Sequence, residues 1–148
     1  MRAPFQVLVI PFRRTAIGIL YALLKRRDAG YWQSVAGGGE DAETPEEAAR
    51  REVAEEIGVA GAPLIRLDAV ASIPVIHFRD HHLWGPGRHV VPEYAFGCDC
   101  LDADLHLSDE HTEYRWLDYH DAYELVRFDS NRTALWELRR RLEPGSRE

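Results

Sequence analysis

A chain of 148 residues with 45% hydrophobic content is long enough to bury the core of one domain without disulfide staples. Its 18 Lys and Arg against 25 Asp and Glu leave a formal charge of -7, which argues against coating nucleic acid or an anionic membrane. A phosphate-bearing small molecule stays open as a partner, because a bound cation supplies local positive charge that the formal balance omits.

In chain order, the amino-terminal MRAPFQVLVIPFRR has too short an apolar run for a membrane span and lacks the layout of a signal peptide. A cytoplasmic location is expected. Phe5 to Phe12 and Ala16 to Leu24 are rich in β-branched and aromatic residues and read as two strands. RRDAG reads as a turn, and YWQSVAGGG as a short strand running into a glycine loop. Thr44, Pro45 and Glu47 mark a helix start: Thr44 caps, Pro45 opens the first turn, and Glu47 stands three residues after the cap. Gly58 is the matching stop, so the helix runs over about Pro45 to Ile57.

Extended structure follows in LIRLDAVASIPVIHF, interrupted at Pro74. RDHHLWGPGRH is turn-rich, and VVPEYAFGCDC reads as a strand. Cys98 and Cys100, at i and i+2, suit neither a disulfide framework nor a four-ligand zinc site, and are expected as small strand residues in a reducing compartment. A polar loop over 102–111 precedes the short strand EYRWLDY and a helix at about His120 to Val126. DSNRTALWELRRRLE closes the chain as a helix capped by Asp129 or Ser130, with Ala134, Leu135, Leu138 and Leu142 at helical spacing. Strands outnumber helices in this mixed α/β domain.

The chemistry concentrates in GGGEDAETPEEAARREVAEEIGV, residues 37–59, with seven glutamates and one aspartate. At 3.6 residues per turn, Glu52, Glu55 and Glu56 fall within an arc of roughly 100°, beside an apolar stripe of Ala49, Val53 and Ile57. Glu46 with Arg50 and Glu47 with Arg51 are favourable i, i+4 pairs. Glu52 and Glu56 are left as a like-charge pair costing on the order of 0.2–0.5 kcal/mol. On the helix pattern, two readings stand: a solvated face softened by Arg50 and Arg51, and a site for a hard cation such as Mg²⁺, Mn²⁺ or Ca²⁺. The three glycines favour a site, because their backbone is free to adopt positive φ and to turn carbonyls or amides toward a ligand.

This segment resembles the signature of the Nudix hydrolases. Gly37, five residues, Glu43, seven residues, Arg51-Glu52, aliphatic Val53, one residue, Glu55-Glu56, one residue, Gly58 and aliphatic Val59 match at all nine specified positions across 23 residues. The resemblance implies a single Nudix domain over 1–148, an α/β/α sandwich with a mixed β-sheet and a loop-helix-loop catalytic motif at 37–59. It also implies Mg²⁺-dependent cleavage of a pyrophosphate linkage, with Mn²⁺ as a substitute ion. Carried onto this chain, Glu52, Glu55 and Glu56 become metal ligands, with the Gly37 carbonyl as a further one. Arg51 orients the glutamates, and Glu43 supports the loop. The general base is left open between Glu52, Glu110 and the neighbouring Glu113.

The flanks LKRRDAGYWQSVAGGGE and DEHTEYRWLDYHDA with DSNRTAL resemble the branch that hydrolyses dATP and dihydroneopterin triphosphate to release pyrophosphate. Val35 and Ala36 replace the Pro-bearing version of the motif common elsewhere in the family. ADP-ribose, dinucleoside polyphosphates and capped RNA remain alternative substrates, and a non-catalytic nucleotide sensor remains an alternative function. Lys25 and Arg27, with Arg26 between them, are candidate phosphate contacts. Trp32 is a candidate stacking residue, and Gly38 and Gly39 are candidate backbone contacts. Tyr31, Phe96 and Trp84 are each readable as core or site aromatics. His77, His81 and His82 read as polar surface. The expected partner is a small nucleoside di- or triphosphate derivative rather than a membrane or nucleic acid, with a homodimer left open.

Overall fold

A computed structural model of the chain describes residues 1–146. Its centre is β1 (Arg2–Thr15), a long strand whose middle, Val7 to Ile10, is buried on both faces. Continuous burial explains the unbroken apolar run there, where a strand with one wet face would alternate. β1 has two partners in succession along one edge. Its first half pairs antiparallel with β4 (Val35–Glu40), and its second half with β2 (Gly18–Arg26). Along the other edge it pairs parallel with β6 (Val90–Asp99), which pairs antiparallel with β5 (Leu64–Pro74). β3 (Trp32–Gln33) and β7 (His111–Leu117) both join β2, completing a mixed seven-stranded sheet among the described residues.

Each face of the sheet carries helices. α1 (Pro45–Ile57) covers β4 and β1 on one side, through Ala49, Val53 and Ile57 packed with Val7, Val9 and Phe96. α2 (Tyr119–Leu125) and α3 (Asp129–Leu142) cover the other side, through Ala122, Ala134, Leu135 and Leu138 packed on Leu8, Ile10 and Leu23. Each fully buried leucine or isoleucine contributes about 1.5–3 kcal/mol through area removed from water. This is the expected α/β/α sandwich with a mixed sheet.

The capping box of α1 forms as its sequence predicts. Glu47 N donates to Thr44 Oγ1 at 3.2 Å, and Thr44 N donates to Glu47 Oε1 at 2.9 Å. Gly58 closes the helix in the left-handed conformation, at φ 70°. α3 starts differently from expectation: Phe128 stands at the cap without a side-chain hydrogen bond. Asn131 instead ties the helix start to the sheet, its Oδ1 accepting from Ser34 N at 3.0 Å. Glu137 takes up the free amides where β5 breaks register, accepting from Asp68 N and Ala69 N at 2.6 and 2.8 Å. Among the described residues no helix is long and apolar enough to cross a membrane, and Cys98 and Cys100 are buried free thiols.

Candidate active site

The glycine stretch corrects one expectation. Gly37, Gly38 and Gly39 are strand residues of β4 paired with β1, and none has positive φ. Their value lies in close approach, since alternating positions along a strand face opposite sides. A Cβ at Gly37 would overlap the Glu52 carboxylate, one at Gly38 the Arg2 guanidinium, and one at Gly39 the Phe5 ring. The space beside Gly38 and Gly39 is therefore filled by this chain's own side chains.

Arg51 organises the acids. Its Nε and Nη2 donate to the two oxygens of Glu43 at 2.8 and 2.9 Å, and Nη2 also donates to the Gly38 carbonyl at 2.8 Å. Nη1 donates to Glu52 Oε1 at 2.8 Å and to Glu55 Oε2 at 3.3 Å. Planar, forked donors suit such bidentate pairing. Hydrogen bonding to Glu43, and then to Glu52, raises the Arg51 pKa, while Arg51 in turn lowers that of Glu43. The predicted Glu46–Arg50 pair forms at 3.0 Å. The Glu47–Arg51 pair is superseded, because Glu47 is engaged in the capping box and Arg51 turns inward across the helix.

The three glutamates thus diverge. Glu55 stays largely in solvent, its side chain 59% exposed, whereas the Glu52 side chain is 12% exposed and Glu56 is buried. Burial raises the Glu52 pKa against the pull of Arg51. Burial, reinforced by the adjacent Glu52, raises that of Glu56 far above the carboxylate range. No N–H or hydroxyl donor faces either Glu56 oxygen among the described residues, and the one bonding neighbour of its carboxyl is Glu52, with which it shares a proton.

Opposite Glu56 lies the start of β7. The preceding loop is fastened to the end of α1, with His106 N donating to Ile57 O at 2.8 Å and Ser108 N to Glu56 O at 3.2 Å. Arg27 holds the same loop from β2, through its N to Glu110 O at 2.9 Å and its Nε to Asp109 O at 2.7 Å. These ties bring Glu110 and His111 to Glu56, and one ligand-type atom from each of the three lies within 4.8 Å of the others. His111 Nε2 stands 3.8 Å from Glu56 Oε1. Burial, and next the charge of Arg26, lowers the His111 pKa to about 4, so the imidazole is neutral near pH 7.

Sequence reasoning did not single out His111. Its signal was its place directly after Glu110 at the opening of a strand, beside a loop already suspected of carrying a carboxylate. Lys25, Glu113 and Trp32 occupy facing positions on β2, β7 and β3, with Trp32 packed in the α2/α3-side core and the Arg115 guanidinium 4.6 Å above its ring. They therefore lie on the face away from α1. Tyr31 meets Phe128 at 5.1 Å and Phe96 is core. Trp84 donates from Nε1 to Arg2 O at 3.0 Å and meets the Phe78 ring edge to face at 5.8 Å. On the α1 side, beyond the helix, Tyr114 is partly exposed and Trp116 lies under the Arg13 guanidinium at 4.3 Å.

The buried donors without partners fit a divalent cation. Ligand-type atoms from Glu56, Glu110 and the neutral His111 imidazole, one from each, converge as a group that could hold a hard or borderline ion, with the Glu52 carboxyl next to Glu56. The fit depends on Gly37. Gly37→Ala is expected to leave the strand intact, since the backbone there is ordinary, but to displace the Glu52 carboxylate. Mn²⁺ affinity and metal-dependent turnover should each fall at least about tenfold, while the thermal midpoint moves by a few degrees. Turnover within twofold of the parent would show that the contact does not position Glu52.

The NUDIX domain profile matches residues 4–138. Dihydroneopterin triphosphate diphosphatase of Escherichia coli K12 is 33% identical over 138 residues, covering 90% of this chain and 91% of that protein. Its counterpart in Haemophilus influenzae is 29% identical over 143 residues, covering 90% and 89%. Among solved structures, a NUDIX hydrolase of Listeria monocytogenes is 44% identical with a TM-score of 0.88, covering 96% of each chain. The structure of the E. coli dihydroneopterin triphosphate pyrophosphohydrolase has a TM-score of 0.74 at 30% identity, covering 90% of this chain and 93% of that one.

Proposed function

The chain belongs to the Nudix hydrolase family, and we propose that this pyrophosphohydrolase acts on a nucleoside triphosphate or dihydroneopterin triphosphate, releasing pyrophosphate. The observation that carries the substrate is the likeness to dihydroneopterin triphosphate diphosphatase along nine-tenths of both chains. Such a span includes the strands and loops around the acidic helix as well as the helix itself.

In this reading Glu52, Glu56 and Glu110 hold Mg²⁺, or Mn²⁺ in its place, and exposed Glu55 adds charge at the rim. When bound, the ion neutralises the pyrophosphate and activates a water for attack at phosphorus. Arg51 keeps Glu52 aimed inward by joining it to the Gly38 carbonyl and Glu43. Glu110, exposed at the mouth and without an ion pair among the described residues, is the residue best placed to accept the water's proton. Arg26 on β2 is the cation whose charge acts on both Glu56 and His111, and in this reading it supplies the phosphate contact on release from Asp28, to which its Nε and Nη2 donate at 3.1 and 2.9 Å. Arg27 acts one step back by tethering the Glu110 loop. Tyr114 and Trp116 offer ring faces for a base or pterin on the uncovered part of the α1-side sheet.

The decisive assay is a panel of ATP, dATP, GTP, dihydroneopterin triphosphate, ADP-ribose, diadenosine polyphosphates and capped RNA, with phosphate products resolved. Pyrophosphate release from a triphosphate, at a kcat/KM at least about tenfold above the other classes, is expected. Preference for ADP-ribose, a dinucleoside polyphosphate or capped RNA would replace the substrate assignment. Tight nucleotide binding without turnover of any member would identify a sensor.

A further inference from the structure

We propose that His111 is a nitrogen ligand of the metal, joining Glu56 and Glu110 in a mixed nitrogen–oxygen site. The inference rests on the metal-dependent hydrolase reading and assigns that site a donor outside residues 37–59.

Its basis is a set of unmet bonding groups. The His111 side chain is fully buried, yet among the described residues neither Nδ1 nor Nε2 has a hydrogen-bond partner, and the buried Glu56 carboxyl it faces has only the Glu52 carboxyl as a bonding neighbour. A neutral imidazole carries one donor and one acceptor, and a structural histidine in a core meets at least one of them. Here the imidazole faces a carboxylate at 3.8 Å. That is too long for a hydrogen bond, but two ligands of a shared ion take such a separation. Glu110 lies within 4.8 Å of both and is exposed. The group is therefore closed on the protein side by His111 and Glu56 and open toward solvent through Glu110, as a site with a resident ion and an exchangeable position requires.

The backbone holds this arrangement. His111 opens β7 opposite Arg26, its N–H donating to Ser108 O at 3.3 Å, while Ser108 N is bound to the Glu56 carbonyl. The imidazole and the carboxylate are thus fixed by a short path through one loop and do not depend on long flexible side chains. Glu55, by contrast, is drawn toward Arg51 at the surface. The chemical consequence is selectivity, because imidazole favours later first-row ions whereas Mg²⁺ prefers an all-oxygen shell.

The test is pulsed electron paramagnetic resonance of Mn²⁺ bound to the tag-free, full-length protein in a buffer without nitrogen donors. A ¹⁴N modulation is expected. It should become a ¹⁵N pattern when histidine is supplied as the ¹⁵N form, and should vanish in His111→Gln. In parallel, His111→Gln should lower Mn²⁺ affinity by at least about tenfold while Mg²⁺ affinity falls less, narrowing the preference between the ions. If the variant folds poorly, the labelled parent shows whether a histidine binds the ion. The same label in His106→Gln, the histidine of the adjoining loop, should leave the ¹⁵N pattern unchanged, whereas its loss there overturns the assignment to His111. Stoichiometric Mn²⁺ binding with no nitrogen modulation overturns the proposal and leaves the hydrolase reading intact, with water between His111 and Glu56. Absence of Mn²⁺ binding overturns both.

Discussion

Glu56→Gln is expected to reduce metal-dependent hydrolysis by about 10³-fold or more while changing the stability of the metal-free domain by less than about 1 kcal/mol. The two effects separate because of where Glu56 sits. Burial and the neighbouring Glu52 keep its metal-free carboxyl in the neutral form, and glutamine reproduces the shape of a neutral carboxylic acid at nearly the same volume. Little packing is lost against Ile57 and the start of β7. The anion that draws a cation into the site is lost entirely, however, and an amide oxygen does not replace it. Turnover and calorimetric metal titration of the same preparation, with a thermal melt in chelator, read both halves. Hydrolysis within tenfold of the parent would remove Glu56 from the ligand set, whereas a metal-free loss of several kcal/mol would mean that its carboxyl has a bonding role in the fold.

The contrast with Glu55 explains why the helix pattern alone left two readings open. Helical spacing placed Glu52, Glu55 and Glu56 on one arc, and that is where they are. It carried no information on depth, which is set by what packs beside the arc. Glu56 is covered because β7 and its loop fold over the last turn of α1, and those residues are about fifty positions away in sequence. His111 went unseen for the same reason, since a histidine next to a glutamate acquires meaning only when a distant strand brings it to a buried carboxylate.

Local features were far more legible. The capping box, the left-handed stop at Gly58 and the stripe of Ala49, Val53 and Ile57 depend on residues within a turn or two of one another, and all formed as read. The glycines are intermediate. Their sequence announced a special backbone, but conformational freedom and close approach give the same three letters. The structure decides for close approach, because a carboxylate, a guanidinium and an aromatic ring each lie where a side chain would begin. The start of α3 shows the converse: Asp129 and Ser130 look like caps, yet Asn131 makes the useful bond, accepting from the backbone of Ser34 between β3 and β4, 97 positions away.

The second large effect expected is a reversal of pH dependence when metal binds. In the metal-free protein the folded-state pKa values of Glu52 and Glu56 are raised by burial, so the folded state holds protons that the unfolded chain has already released above its ordinary glutamate range. Their contribution to stability is complete below that range and is lost as pH rises through the folded values. His111 acts in the opposite sense, because its folded pKa is lowered to about 4; it takes stability away as pH falls below the ordinary histidine range, and is constant above it. Arg26 stays cationic throughout. The clean window is therefore above pH 7, where the metal-free thermal midpoint should fall as the buried Glu56 carboxyl, whose pKa is pushed up to about 10, is forced to ionise. Bound Mg²⁺ or Mn²⁺ needs those carboxylates as anions, so binding should release protons and tighten by up to about tenfold per pH unit for each proton released. Melts between pH 7 and 9 with chelator or saturating metal, and calorimetry in two buffers of different ionisation enthalpy, measure the two sides of this linkage. A metal-free midpoint that does not fall over that window, together with metal binding that releases no proton, would mean that Glu56 is already ionised in the empty site and that another interaction holds its charge there.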